Sequence, residues 1–156
     1  MKIPGVELVI LVGLPAAGKT SFYQEWFAAT HDHVSKDLFR HNRRPQRRQD
    51  LLVAEALAAG RSVVVDNTNP SAAVRAPLIE MGHRHGAIVT GFYFPATAAD
   101  ALRRNRAREG RQRVPDVAIF TARKRLEPPA RGEGFDRLFE VRLDESARRF
   151  EVSPLP

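Results

Sequence analysis

Residues 13–20, GLPAAGKT, constrain the fold of this chain more than any other part of the sequence. They follow an apolar run over residues 7–12 that predicts a buried strand, and a helical pattern begins at Lys19. Glycines leave the backbone amides of such a loop open to a polyphosphate, and the helix N-terminus adds a positive field. An ordinary Gly-rich turn is the alternative. Because motif and context agree, the segment predicts a nucleoside triphosphate site.

The motif predicts a role in ATP binding for individual residues of this loop. Lys19 is placed to bring a point charge to the outer phosphates, and the Thr20 hydroxyl is placed to hold a magnesium ion. The other predicted ATP-binding positions are Gly13, Pro15, Ala16, Ala17 and Gly18. ATP and Mg²⁺ are therefore the expected cofactors.

The rest of the chain alternates strand and helix patterns. Predicted strands cover residues 30–37, 61–66, 87–94 and 137–143, and predicted helices cover residues 49–59, 72–84, 98–108 and 116–126. This order is typical of α/β proteins, so we expect a three-layer P-loop NTPase fold with a mostly parallel sheet and helices on both faces. A chain of 156 residues fits a single domain, residues 1–156.

The composition favours a polyanionic partner. The chain has 25 Lys and Arg residues against 18 Asp and Glu, a formal charge of +7, and nearly all of the positive charge is Arg. Arg suits bidentate contacts with phosphate, although a solvated charged surface would have the same composition. The sequence contains no Cys, which excludes disulfides, thiolate metal sites and a Cys nucleophile.

Segments typical of membrane or zinc proteins are missing from the sequence. No apolar run approaches the roughly 20 residues of a membrane span, and residues 1–5 contain no signal-like apolar stretch. We therefore expect a cytoplasmic protein without a membrane partner. Paired histidines at 31 and 33, and at 83 and 85, lack an obvious third ligand, so we do not expect zinc. The sequence does not indicate the oligomeric state.

An acidic residue ends the predicted second strand and a basic residue follows it. Asp37 is the polar tip of this strand, at the edge where open α/β sheets bind ligands. Arg40 lies three residues further on, so a helical turn would place both side chains on one face. The two residues form either a solvated ion pair of little energetic value or a substrate-handling pair.

A second aspartate ends the predicted third strand. Asp66 closes the apolar run VVVD and is followed by NTNP. An aspartate at this position of a P-loop protein is usually the second anchor for magnesium. A helix cap is the alternative, but Asn69 before Pro70 is better placed for that role.

An arginine-rich segment predicts a lid. The helix over residues 98–108 carries Arg104 and Arg108, which are four apart and should share a face. Like charges so placed repel unless an anion, such as a transferring γ-phosphate, lies between them. Gly110 and a Val-Pro break separate this helix from the next, so residues 98–126 predict a mobile lid. The further basic residues of this segment are Arg103, Arg106, Arg111 and Arg113.

A second basic group precedes the predicted helix 49–59. Pro45 interrupts this group and discourages one unbroken helix through it. Its members are Arg40, His41, Arg43, Arg44, Arg47 and Arg48.

Five segments taken together resemble the kinase domain of polynucleotide kinase, as in the bifunctional polynucleotide kinase-phosphatases and in phage polynucleotide kinase. The likeness extends from about Glu7 to Leu143. The glycine loop is shared by many families, whereas KDLFR, DNTNP and EGFD in this order are more specific. The segments are GLPAAGKT, VSKDLFR, VVVDNTNP, RRNRAREG followed by RVP, and EPPARGEGFDRLFEV.

The resemblance implies ATP-dependent transfer of the γ-phosphate to the 5′-hydroxyl end of DNA or RNA, most simply in end repair. Asp37 would then be the general base, and Arg40 would hold the phosphate on the 3′ side of the acceptor nucleotide. Asp66 and Asn69 would lie at the substrate site. The acceptor partner implied is therefore a nucleic acid end.

On the donor side, the resemblance implies that Lys19 takes the ATP phosphates and that Thr20 and Asp66 hold magnesium. Arg108, with Arg104, would be the lid arginine on the β- and γ-phosphates.

Two departures from the family pattern bear on activity. The position before the catalytic aspartate, often Arg in the family, is Lys36 here, which keeps the charge but loses the guanidinium fork. A D-x-D-G-T phosphatase motif is missing from the sequence, so 3′-phosphatase activity is not expected.

Two other functions fit the sequence. The first is a P-loop kinase, toxin-like or otherwise, that phosphorylates a small hydroxyl compound such as a sugar or nucleoside. The second is a binding module that uses ATP to switch shape without phosphorylating an acceptor. The first alternative predicts that a small alcohol is phosphorylated and an oligonucleotide is not. The second predicts ATP binding without phosphorylation of any acceptor, unaffected by the substitution Asp37→Ala.

Overall fold

Six strands form one twisted sheet at the centre of the protein, in the order β2-β3-β1-β4-β5-β6. The structure is a computed structural model and describes residues 5–110 and 113–156. Strands β1 to β5 are parallel to their neighbours, and β6 pairs antiparallel with β5. The strands are β1 (Glu7–Gly13), β2 (Asp32–Val34), β3 (Val63–Asp66), β4 (Ile88–Phe94), β5 (Arg137–Asp144) and β6 (Arg149–Pro154).

Within the described part of the chain, five α-helices cover the two faces of this sheet. They are α1 (Lys19–Trp26), α2 (Pro45–Ala58), α3 (Ala72–Arg84), α4 (Ala98–Arg106) and α5 (Asp116–Arg125). Short 3₁₀ helices occupy Lys36–Phe39 and Arg131–Glu133. Among the described residues, no helix is both long enough and apolar enough to cross a membrane.

The core is divided by the sheet into two apolar clusters. Successive side chains of β1 point to opposite faces, as the two-residue period of a strand requires. One cluster joins Leu8 and Ile10 of β1 to residues of α2 and α3. The other joins Val9 and Leu11 to Phe22 of α1 and to residues of α4 and α5. The predicted three-layer α/β fold is therefore confirmed.

Capping residues explain where three of the helices begin. Pro45 stands at the first position of α2, where its fixed φ and missing N–H are tolerated. The Ser71 hydroxyl accepts from the Val74 amide at 3.2 Å, and the Thr97 hydroxyl caps α4 in the same way. The interpretation of Asn69 as the cap of α3 is thus wrong, because Ser71 occupies that position.

Several boundaries differ from the sequence prediction. Strand β2 covers only Asp32–Val34 of the predicted 30–37, and α2 begins at Pro45 rather than at residue 49, because Pro45 starts the helix instead of interrupting it. Helix α4 ends at Arg106 rather than Arg108, and a sixth strand, β6, follows the predicted last one. β6 is a mostly exposed edge strand, so its sequence lacks the apolar pattern that marks the buried strands.

Candidate active site

The loop after β1 adopts the conformation that its small residues allow. Gly18 has φ +98°, in the left-handed region that favours glycine, and Ala16 has φ +65°. A Cβ atom at Gly13 would lie 2.9 Å from Phe94 Cβ, so a larger residue does not fit there. The Gly13 amide donates to the Thr68 carbonyl at 3.1 Å. Gly13 therefore anchors the start of the loop through its close packing on Phe94 and its bond to Thr68, and it is outside the cleft lining.

The predicted ATP-binding positions of the loop divide into two groups. Four of them line a cleft of about 880 Å³ at the carboxyl edge of the sheet. These are Pro15, Ala16, Lys19 and Thr20. The other three, Gly13, Ala17 and Gly18, are outside the cleft lining.

The Lys19 ammonium is nearly buried and folds back onto its own loop. It donates to the carbonyls of Gly13 and Leu14 at 2.9 and 2.6 Å. Burial lowers the pKa of Lys19 to about 8; the Asp66 carboxylate opposes this shift and the Arg108 charge adds to it. The positive charge of Lys19 is therefore only partly balanced by the surrounding carboxylates. A phosphate bound beside it would stabilise that charge and be stabilised by it.

A chain of side chains holds the carboxylate at the end of β3. The Thr20 hydroxyl donates to Asp66 Oδ2 at 2.7 Å, and His33 Nε2 lies 2.9 Å from the same oxygen. The Tyr23 ring stacks on His33, with centroids 4.1 Å apart and planes 15° from parallel. Burial would raise the pKa of Asp66, but its contacts with His33, Lys19 and Thr20 outweigh burial and lower it.

The donor set at this point suits magnesium. Thr20 and Asp66 bring a hydroxyl and an ionised carboxylate together, and Mg²⁺ binds through one or two such oxygens plus substrate phosphates. Within the described residues, no group of three or more His, Cys, Asp and Glu side chains could hold a metal by itself. The residues present therefore fit an ion that is bound together with a nucleotide.

Asp37 faces the same cleft as Lys19. It lies in the 3₁₀ helix Lys36–Phe39, and its side chain is 79% exposed. The Arg40 guanidinium is 3.8 Å from the Asp37 carboxylate and lines the cleft with it. The geometry is compatible both with a solvated ion pair and with a substrate-handling pair. The two side chains are exposed, and they line the same cleft as residues of the glycine loop.

Backbone contacts fix the position of the turn that carries Asp37. The Ser35 hydroxyl accepts from the Asp37 amide at 3.3 Å, and Asn67 Oδ1 accepts from the Lys36 amide at 3.0 Å. The Asn67 amide donates in turn to Gln49 of α2 at 2.7 Å, and Gln49 is buried. Neither Asn67 nor Gln49 was predicted. Asn67 could have been suspected from the DNTNP segment, but nothing in the sequence marked Gln49.

Asn69 lines the cleft but uses its side chain within the protein. Its amide nitrogen donates to the Leu11 carbonyl at 2.7 Å, and its φ is +46°. Its own carbonyl accepts from Arg75, which is fully buried and forms a bidentate pair with Glu133 at 2.8 and 3.0 Å. Asn69, predicted as a substrate residue, is therefore placed as a support for the loop after β3.

The two predicted lid arginines are separated in the structure. Arg108 lines the cleft; burial lowers its pKa, while the Asp37 and Asp66 carboxylates oppose that shift. Arg104 is outside the cleft lining and donates to Glu145 at 3.0 Å. The prediction that they share a helix face is wrong, because α4 ends at Arg106. Arg111, predicted in the same basic run, lies outside the described residues.

An unpredicted asparagine closes the segment that carries Arg108. Asn105 is fully buried, donates to the Val114 carbonyl at 2.7 Å and accepts from the Val114 amide at 2.9 Å. Val114 lines the cleft together with Arg108. This pair of hydrogen bonds ties the two ends of the segment together, so Asn105 positions Arg108 indirectly.

The class of protein that this arrangement defines is the P-loop kinase domain, in which a lysine, a threonine and a strand-end aspartate share one cleft. The chain belongs to the family described as AAA domain, whose model matches residues 8–129.

Known proteins agree with this assignment. A curated relative is the bifunctional polynucleotide phosphatase/kinase of Schizosaccharomyces pombe, 25% identical over 139 residues. This match covers 86% of the present chain but 33% of the relative, so the chain spans about a third of that protein's length. The resemblance predicted from the sequence is thereby confirmed.

Solved structures share the fold. Kti12 of Chaetomium thermophilum, crystallised with ADP-AlF3, superposes with a TM-score of 0.70 at 15% identity, over 88% of this chain and 90% of that chain. A chain of the Pnkp1/Rnl/Hen1 RNA repair complex superposes with a TM-score of 0.62 at 23% identity. That match covers 78% of this chain and 44% of the other.

Proposed function

We propose that this protein is an ATP- and magnesium-dependent kinase that phosphorylates the 5′-hydroxyl end of a polynucleotide, in nucleic-acid end repair. The observation that carries the proposal is that the exposed Asp37 carboxylate and the buried Lys19 ammonium line one cleft. An acceptor hydroxyl and a donor phosphate can therefore meet between them. The name of the S. pombe relative supports the choice of acceptor.

On the donor side, the glycine loop and α1 receive the triphosphate. Lys19 exchanges its loop carbonyls for phosphate oxygens, and Arg108, which lines the same cleft, brings a second positive charge to them. Thr20 and Asp66 would hold Mg²⁺, which neutralises charge on the phosphates when bound. Both cations face the place where negative charge grows during transfer.

On the acceptor side, Asp37 orients the hydroxyl and takes its proton. The hydroxyl oxygen forms a bond to the γ-phosphorus, and the bond from that phosphorus to the β–γ bridging oxygen breaks, releasing ADP. The proton of the hydroxyl passes to the Asp37 carboxylate. Because the transition state of phosphoryl transfer is loose, positioning by a carboxylate matters more than its strength as a base. Arg40, which pairs with Asp37, is placed to hold a phosphate of the acceptor.

A panel of acceptors tests this proposal. The protein is incubated with γ-labelled ATP and Mg²⁺, and with DNA or RNA oligonucleotides that carry a 5′-hydroxyl, or with sugars and nucleosides. We expect label on the oligonucleotides and little on the small alcohols. An oligonucleotide that already carries a 5′-phosphate is the matched negative control. Label on a small alcohol alone would replace the proposal with a small-molecule kinase, and no label on any acceptor would favour the ATP-dependent switch.

A further inference from the structure

A basic surface lies beside the cleft, at the N-terminus of α2. It surrounds a shallow depression of about 280 Å³ and has an exposed leucine, Leu51, within it. We propose that this α2 surface binds the backbone phosphates of the polynucleotide beyond its terminal nucleotide. The inference rests on the proposed function and extends its acceptor site. The residues of the α2 surface are Asn42, Arg43, Arg44, Arg47, Arg48 and Leu51.

The four arginines of the α2 surface are not neutralised by the protein. Within residues 5–110 and 113–156, none of them forms an ion pair with a carboxylate. The nearest acid along the helix, Asp50, accepts instead from Gln46 at 3.0 Å. Arginines elsewhere in the described chain do pair with acids; they include Arg61, Arg75, Arg103, Arg104, Arg142 and Arg149.

The position of these arginines is unfavourable for the helix itself. The N-terminus of a helix carries a partial positive charge, and cations there are destabilising. The first turn of α2 contains no acidic residue, and its N-cap residue, Arg44, makes no side-chain cap. Arg44 and Arg48 are four residues apart, a spacing at which like charges repel on a helix. Bound anions would remove both penalties at once.

The α2 surface is continuous with the acceptor side of the cleft. Asp37 lies in the 3₁₀ helix, Arg40 follows it and lines the cleft, and Arg43 begins the α2 surface three residues later. A strand whose 5′ end lies at Asp37 can therefore pass Arg40 and run outward over α2. Leu51 offers an apolar contact for a base or sugar within the depression.

A polynucleotide fits this surface better than a free nucleotide does. A single nucleotide offers one group of phosphates, and the glycine loop already provides a site for it. Several arginines spread over a loop and a helix turn need an anion with several separated charges. Guanidinium groups also match phosphate geometry in a bidentate manner.

A four-arginine variant, R43Q/R44Q/R47Q/R48Q, tests the inference. A control with the same reduction in charge, R84Q/R142Q/R148Q/R149Q, changes exposed residues that are outside both depressions. Binding of a fluorescent 5′-hydroxyl oligonucleotide is measured by anisotropy without ATP, over a range of salt concentrations. Thermal unfolding of both variants confirms that they fold.

We expect the α2 variant to bind the oligonucleotide at least about tenfold more weakly than the control does. The slope of log K against log salt should become less negative by about 0.7 for each phosphate of the single strand that the variant no longer neutralises. In transfer assays, the KM for a long oligonucleotide should rise, whereas the KM for a nucleoside 3′-phosphate should stay within about twofold of the wild-type value.

The outcomes separate this inference from the proposed function. Equal oligonucleotide binding by the α2 variant and the control overturns the α2 surface but leaves the 5′-kinase intact. Wild-type protein that neither binds nor phosphorylates oligonucleotides overturns both. If the wild type binds oligonucleotides through α2 but phosphorylates only small alcohols, the surface stands and the proposed acceptor fails.

Discussion

The Thr20 hydroxyl donates to the Asp66 carboxylate at 2.7 Å, and this contact joins the start of α1 to the end of β3. The two residues are far apart in the chain, yet they meet at the carboxyl edge of the sheet because β1 and β3 are parallel neighbours. Both residues line the cleft that Asp37 also lines.

The substitution D37N should abolish transfer and spare ATP binding. An asparagine keeps the shape of the side chain but cannot accept the proton, and a general base contributes about 10²- to 10⁴-fold to the rate. We expect a loss of kcat in that range, with the ATP dissociation constant unchanged. D32N is the matched control, since Asp32 is also exposed but pairs with Arg61 at the start of β2. Full activity of D37N would remove Asp37 from the mechanism.

ATP affinity should fall as the pH rises through the pKa of Lys19. That pKa is about 8 in the nucleotide-free protein. Phosphate favours the protonated ammonium, so binding raises the pKa, and affinity is full below pH 8 and declines above it. The steepest decline is about tenfold per pH unit, as for any single proton. Measuring the ATP dissociation constant across this range in wild type and K19R gives the test, because an arginine stays protonated and its profile should be flat.

His33 should control magnesium use through Asp66. Its imidazole contacts the carboxylate at 2.9 Å, and loss of such an outer partner typically costs about 10- to 100-fold in metal affinity or activity. We expect H33A to need correspondingly more Mg²⁺ for half-maximal transfer, and H33N to recover part of the loss. H85A is the control, because His85 contacts the Met81 carbonyl on α3. An unchanged Mg²⁺ titration for H33A would exclude this role.

Arg108 and Arg104 should differ sharply in their effect on catalysis. R108Q removes a cation from the cleft wall and should lower kcat by roughly a hundredfold or more, as loss of an arginine at a transferring phosphate does. R104Q removes a half-buried arginine that pairs with Glu145 and should change kcat by less than about threefold, because Arg104 is outside the cleft lining. Steady-state kinetics of the two variants, side by side, give the comparison. A loss for R104Q equal to that for R108Q would restore Arg104 to the site.

The buried pair of Arg75 and Glu133 should be costly to break singly. R75M leaves Glu133 without its bidentate partner and should lower the free energy of unfolding by about 3–5 kcal/mol. The double variant R75M/E133L should recover much of this loss, because neither charge is then left unpaired. Urea unfolding of the wild type and both variants supplies the values. A double variant less stable than R75M would contradict this account.

The sequence predicted the parts of the site that follow each other along the chain. The glycine loop and the strand-end Asp66 could be located because apolar runs of strand length precede them. The turn at Asp37 follows a short and mostly polar strand, so it could be located from the polar end of that strand and from the resemblance of VSKDLFR to the polynucleotide kinase domain. Parallel pairing then brings strand ends to one edge, which is why these residues meet.

The parts that could not be predicted depend on contacts between distant segments. His33 reaches Asp66, Gln49 reaches Asn67 and Asn105 reaches Val114 through side-chain geometry that periodicity does not encode. The role of Arg104 was misjudged for a different reason. Helix ends are uncertain by a residue or two, and an end at Arg106 instead of Arg108 removes the shared face.

The turn that bears Asp37 is held in place through its backbone amides, which donate to Asn67 and Ser35. The Lys36 amide donates to Asn67 Oδ1 and the Asp37 amide donates to the Ser35 hydroxyl. Because neither bond uses the side chains at 36, 37, 38 and 40, these side chains can be exchanged while the backbone keeps its course. The choice of alcohol and the handling of the nucleotide are thus encoded separately. One scaffold of this type can acquire a new substrate by changing a handful of side chains, with the machinery for the donor left untouched.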